Sequence, residues 1–269
     1  MIYNISQPSL QLSKFIKHYW TLENCIPDGR QHIQRIVPSG LPELIFYFGD
    51  KPVSASRKKS INECSLITGQ LNEFYDIKIT GNISLFSIIF KPHGLSSFLD
   101  IPFQELYNQN VPFELIFKNE VNELETRLYN AGSFTERITV IESCLINILK
   151  KRVLKSNYDR ISNSIFRINQ SKGLVSIDDL ASDACCSRKQ FERIFLHMVG
   201  TSPKQFLKII RFQNAIDTKA KDQSISLTNL TYQCGYYDQA HMTNDFQKLS
   251  GMSPKQYFNE CEPYSDYFQ

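Results

Sequence analysis

The 269-residue chain has no Cys-x-x-Cys pair, no His-x-His pair and no long apolar run. Its seven cysteines stand at positions 25, 64, 144, 185, 186, 234 and 261, an odd and scattered set. That argues against a disulfide framework or a cysteine zinc site, and for a reducing cytoplasm. His18, His32 and His93 each stand alone, so they are expected to be structural or exposed rather than metal ligands. No metal and no cofactor is expected. There is no Walker loop, no Gly-x-Gly-x-x-Gly and no Gly-x-Ser-x-Gly elbow, the turns on which phosphate cradling and serine nucleophiles depend. Cys25, Cys64 and Cys144 lack the Pro-Cys-His surroundings of a methyl-accepting cysteine. Met1-Ile2-Tyr3-Asn4 lacks the basic and apolar segments of a signal peptide. The clean apolar stretch at 85–90 is far too short to span a membrane. The expectation is a cytoplasmic protein that is not an enzyme and has no membrane partner.

What the chain does have is a repeat. Residues 200–206 read Gly-Thr-Ser-Pro-Lys-Gln-Phe and residues 251–257 read Gly-Met-Ser-Pro-Lys-Gln-Tyr. Ser176, Ile177 and Leu180 recur as Ser226, Leu227 and Leu230, and Phe195 recurs as Phe246. One small module is used twice.

In the first copy, Ser176 opens a short helix that runs out near Ala184, with a Ser-x-x-acid capping pattern. Cys185 and Cys186 occupy a tight connection and, with Cys234, are read as packing residues. Ser187 caps a second helix, where Phe191, Ile194, Phe195 and Met198 share one apolar face. Gly200 ends that helix. Ser202 and Pro203 start a long connecting helix that runs to about Lys221. In the second copy Ser226 opens the first helix, Gly235 lies in the turn and Asp238 caps the second helix. Met242, Phe246 and Leu249 face inward and Gly251 ends it. Helix, short turn, helix of this size is the helix-turn-helix pattern, whose second helix enters the DNA major groove.

Both copies, the connecting helix and the stretch Gly235-Tyr236-Tyr237-Asp238-Gln239-Ala240-His241-Met242 resemble the DNA-binding domain of AraC-type bacterial transcription regulators. The resemblance covers residues 158–260. It implies two recognition helices in successive major grooves, roughly 34 Å apart along the duplex. Base contacts would fall to Arg188, Lys189, Glu192 and Arg193 in the first unit and to Gln239, Thr243 and Asn244 in the second. Ala240 departs from the polar residue such a position often carries. Phosphate contacts would come from Ser187, Thr201, Ser202, Lys204, Ser253 and Lys255. The resemblance also implies double-stranded DNA and RNA polymerase as partners, a small-molecule effector, homodimer formation and a bias toward activation.

Net charge is only +3, but its distribution is uneven. Residues 185–211 hold Arg188, Lys189, Arg193, Lys204, Lys208 and Arg211 against Glu192 alone. That places the electrostatic footprint on the first unit.

The first half differs in kind. The expected fold class is α+β: a strand-rich domain at 1–112, a helical hairpin and linker at 113–157, and an all-α double helix-turn-helix domain at 158–260. Residues 10–20 read as an amphipathic segment with Leu12, Phe15, Ile16 and Tyr19 on one side. Residues 44–48, 75–81 and 84–90 carry strand signals, and 51–59 reads as a mobile basic loop. Whether the strands close into a cupin-like barrel is open at this point. Val121, Leu124, Leu128 and Ala131, then Phe134, Ile138, Ile141, Leu145 and Ile148, follow helical spacing, with a Ser133–Glu136 capping box between. Val37-Pro38-Ser39-Gly40-Leu41-Pro42-Glu43-Leu44 and Phe90-Lys91-Pro92-His93-Gly94-Leu95 resemble an N-terminal domain found in a subgroup of AraC-type regulators. Trp20, Phe46, Tyr47, Phe48 and Tyr75 could line an effector pocket or form core. A DNA-repair methyl-transfer fusion and an interaction module without DNA binding stand as alternative functions.

Overall fold

A computed structural model describes residues 1–54, 63–117, 121–152 and 157–260. The loop expectation at 51–59 falls in part, and Cys261 wholly, outside the described residues.

The N-terminal half is built from two antiparallel sheets. Strands β1 (Ile2–Ser6), β2 (Ile16–Ile26), β3 (His32–Ile36), β4 (Glu43–Tyr47), β5 (Val53–Ser54), β6 (Ser65–Thr68), β7 (Tyr75–Ile79), β8 (Gly81–Phe90) and β9 (Asn110–Pro112) follow in chain order. One sheet has the order β1-β2-β8-β4-β6-β9 and the other β3-β7-β5. Strands were expected at β4, β7 and β8 and are found there. Residues 10–20 differ from the amphipathic reading: 10–15 form turns, and β2 begins at Ile16. Both faces of β2 are covered, so His18, Tyr19, Trp20 and Thr21 are buried in succession and the period-two signal is lost. The apolar positions themselves were right, since Leu12, Phe15, Ile16 and Tyr19 are all core. Val53 and Ser54 pair with β7 instead of lying in a loop.

Three helices follow: α1 (Phe113–Phe117), α2 (Val121–Asn130) and α3 (Phe134–Lys150). Ser133 caps α3 by accepting from the Glu136 N–H, and the Glu136 carboxylate reaches back to Gly132 N. Leu124, Leu128, Ile141 and Leu145 are buried against the sheet aromatics Phe46 and Phe86 in one continuous core.

The C-terminal half is helical: α4 (Tyr158–Gln170), α5 (Ile177–Asp183), α6 (Arg188–Val199), α7 (Pro203–Lys221), α8 (Leu227–Gln233), α9 (Gln239–Ser250) and α10 (Pro254–Glu260). Five of these starts have the physical cause read from sequence. Ser176, Ser187, Ser202, Ser226 and Asp238 each accept a backbone N–H from three residues ahead. Both α6 and α9 end on a left-handed glycine, Gly200 with φ +85° and Gly251 with φ +72°. The first unit shares its core with the N-terminal half through Phe98, Phe103, Phe191, Phe195 and Phe206. The second unit has its own core around Phe212, Met242, Phe246 and Tyr257, which Val37 of the N-terminal half enters.

Candidate nucleic-acid interface

Burial of one face of α6 dictates what the other face offers. Phe191, Phe195 and Met198 are buried, which leaves Arg188, Lys189 and Arg193 exposed and Glu192 half-buried. These four expected base readers therefore share one outward surface, but they are not equally free. Arg188 donates to both carboxylate oxygens of Asp178 on α5, at 3.0 and 3.3 Å, and to Glu192 at 3.2 Å. The hydrogen bond to Glu192, with the charge of Asp178 beside it, pushes the Arg188 guanidinium up. Arg188 and Asp178 thus brace the two helices of the first unit, and Arg188 and Glu192 would have to part before either met a base edge. Lys189 and Arg193 are exposed and make no ion pair among the described residues.

On α9, Met242, Phe246 and Leu249 turn inward and Gln239 and Asn244 stay exposed, with Thr243 half-buried. Gln239 Nε2 donates to Thr228 Oγ1 of α8 at 2.7 Å. That bond does for the second unit what Arg188–Asp178 does for the first. Tyr237, immediately before the α9 cap, is 85 % exposed. Beside a turn the sequence carries no period that marks which way such an aromatic faces.

The phosphate-contact expectations separate in the same way. Ser187, Ser202, Lys204 and Lys255 are exposed. The Ser187 and Ser202 oxygens accept capping N–H groups, which leaves each hydroxyl hydrogen available. Ser253 Oγ donates to Gln256 Oε1 at 3.0 Å, so its hydrogen is committed. Thr201 departs from expectation: it is buried beneath the Gln104 and Tyr107 side of the N-terminal half and does not face solvent.

The charge footprint is also smaller than composition suggested. Lys208 is bound to Asp245, a 3 % exposed side chain on α9, at 2.7 Å. Arg211 lies over the Tyr236 ring at 5.5 Å and donates to Gly173 O. Lys208 joins α7 to α9, and Arg211 joins α7 to the turns after α4 and α8. Cys185 is likewise not the packing residue expected. It is exposed at φ +51°, while Cys234 is buried as read.

In the N-terminal half, Phe46, Tyr47, Phe48, Lys51, Glu125 and Tyr129 line an open cleft of about 370 Å³ between the end of β4 and α2. Trp20 is core and donates to the buried Glu43 carboxylate. Burial pushes that carboxyl up to about 7 against the hydrogen bonds from Ser87 and Trp20. His18 and His93 are buried, and burial pulls both down to about 4. Among the described residues no group of His, Cys, Asp or Glu could hold a metal ion, and no helix is long and apolar enough to cross a membrane.

Comparison with known proteins divides the chain as its architecture does. Residues 180–260 match a helix-turn-helix domain family, and residues 4–112 match a family described as a domain of unknown function, DUF6597. An uncharacterized HTH-type transcriptional regulator of Haemophilus influenzae is 31% identical over 113 residues, 41% of this chain and 38% of the relative. A probable transcriptional regulator of Photobacterium leiognathi, LumQ, is 30% identical over 118 residues, 44% of this chain and 46% of the relative. The chain spans less than half the length of these curated relatives. Among solved structures, ToxT from Vibrio cholerae aligns over 90% of this chain and 97% of its own, at 12% identity and a TM-score of 0.47.

Proposed function

We propose that this chain, which carries a helix-turn-helix domain similar to that of AraC-type regulators, is a sequence-specific DNA-binding transcription regulator. The observation that carries the reading is the duplicated unit. Each copy buries an apolar face, ends on a left-handed glycine and leaves polar residues outward on its second helix. Relatives named as transcriptional regulators support the same conclusion.

In this reading Lys189 and Arg193 read bases directly, while Glu192 does so once its pair with Arg188 opens and Arg188 once it also leaves Asp178. Gln239, Thr243 and Asn244 serve the second unit. Ser187, Ser202, Lys204 and Lys255 grip phosphates. Residues 158–260 form the DNA-binding domain, 1–112 the sensing or dimerising domain and 113–157 the hairpin between them. The aromatic cleft beside β4 is where an effector would sit. Activation through RNA polymerase in the cytoplasm, as a homodimer, completes the proposal.

The test is a gel shift on a duplex enriched from a random pool by the full-length protein. Arg193→Ala removes one bidentate contact, and a loss of about 10- to 100-fold is expected. Unchanged affinity would remove the first unit as a reader.

A further inference from the structure

The N-terminal half touches the two helix-turn-helix units at equivalent points. The left-handed glycine that ends α6, Gly200, lies under Phe103: a Cβ built on it would come within 3.0 Å of the ring and 3.1 Å of the Phe103 carbonyl oxygen. The glycine that ends α9, Gly251, lies under Phe74, and a Cβ there would come within 2.4 Å of the ring. One phenylalanine of the N-terminal half therefore sits on the C-terminal cap of each recognition helix.

Polar contacts reinforce the second point. Arg35 on β3 binds Asp76, its register partner on β7, at 2.8 and 2.9 Å. Its Nη1 donates to Ser250 O, the last carbonyl of α9, at 3.0 Å. A cation at a helix C-terminus also meets the negative end of the helix dipole. The same guanidinium lies 4.4 Å from the Phe74 ring centroid, so Arg35 meets both the ring and the helix end that Gly251 closes. Gln213 of α7 donates to Pro38 O at 2.8 Å, and Gly40 packs on Phe206. These contacts leave the outward residues at the N-terminal parts of α6 and α9 uncovered.

We infer that the N-terminal half is a brace that fixes the spacing of the two recognition helices, and that Phe74 and Arg35 are positioning residues for the half-site spacing the protein accepts. The inference rests on the DNA-binding reading above. A helix pair held at one separation meets two major grooves without first losing relative freedom. The same rigidity makes a wrong groove spacing costly. Released from the brace, the second unit stays fastened to α7, and bending of that single connecting helix lets it follow a displaced half-site.

The experiment uses full-length protein and the duplex it selects from a random pool, with zero, one or two base pairs inserted between half-sites. Wild type is expected to lose at least about tenfold in affinity per inserted pair, on the scale of a mismatched contact. Phe74→Ala with Arg35→Gln is expected to bind the native spacing several-fold more weakly and to lose less than about threefold per insertion. Arg35→Gln alone, which changes a partly exposed side chain, keeps the test open if the double variant is misfolded by circular dichroism. It is expected to lie between the two. A variant that folds and keeps the wild-type spacing profile overturns the brace. Wild type that binds no duplex in a salt-sensitive way overturns the DNA reading and the brace with it, and so is told apart from failure of the brace alone.

Discussion

The Lys208–Asp245 pair fastens α9 to the connecting helix, and its removal should be felt across the second unit. The two groups are 2.7 Å apart, with Asp245 3 % and Lys208 29 % exposed in their side chains. Breaking a fully buried pair costs about 3–5 kcal/mol, because the surviving charge is stranded. Water reaches Lys208 in part, so for Asp245→Ala the figure is about 2–3 kcal/mol once solvent screening is discounted. For a chain of this size that is a fall in Tm of roughly 5–10 °C. Replacing both partners with apolar residues, Lys208→Met with Asp245→Leu, strands no charge and should return all but about 1 kcal/mol. Urea titration followed by circular dichroism gives both values. If Asp245→Ala costs less than about 0.5 kcal/mol, the pair behaves as a surface pair and the tie is imaginary. A double variant worse than either single would equally refute the reasoning.

Three further outcomes are expected. Arg193→Ala should weaken operator binding more than Asn244→Ala, since the exposed cations Lys189, Arg193 and Lys204 lie in and beside the first unit; equal losses in a gel shift would refute that ranking. Glu43, pushed up to about 7 from an ordinary 4.5, keeps its proton in the native state while the unfolded chain ionises. Its contribution therefore falls as pH rises from 4.5 to 7, and Glu43→Gln should gain about 3 kcal/mol relative to wild type across that window, measured as urea midpoints at both ends. A difference independent of pH would show that the carboxyl is ionised in the fold. Ser226→Ala removes the α8 cap bond to Asn229 N and should cost about 1 kcal/mol, with thermal melting as the readout.

Much of the helical half was legible because its signals are local. A cap oxygen and the N–H it accepts are three residues apart, and Ser176, Ser187, Ser202, Ser226 and Asp238 all cap as read. The closing glycines were legible for the same reason. The strand-rich half hid more. In β3 the inward residue is Gln34 at 4 % exposure and its neighbour Ile33 is 57 % exposed, so the hydrophobic alternation runs backwards. β1 is exposed along nearly its whole length and gives no pattern at all. At the candidate interface the outward positions were readable from the apolar period of α6 and α9. Which cations were already engaged was not readable. Lys208 and Asp245 are far apart in the chain, and a count of charges treats both as solvated. The burial of Thr201 and the contacts of Phe74 and Phe103 are tertiary, with no mark in the residues that flank them.

Binding of the full-length protein to a duplex enriched from a random pool, against a scrambled competitor at 50 and 200 mM salt, tests the central claim most directly. Two cationic phosphate contacts, Lys204 and Lys255, predict a loss on the order of tenfold between those concentrations, with the selected duplex retained over the scrambled one. Folded protein that shows no preference between the two, or an affinity flat in salt, would contradict the account.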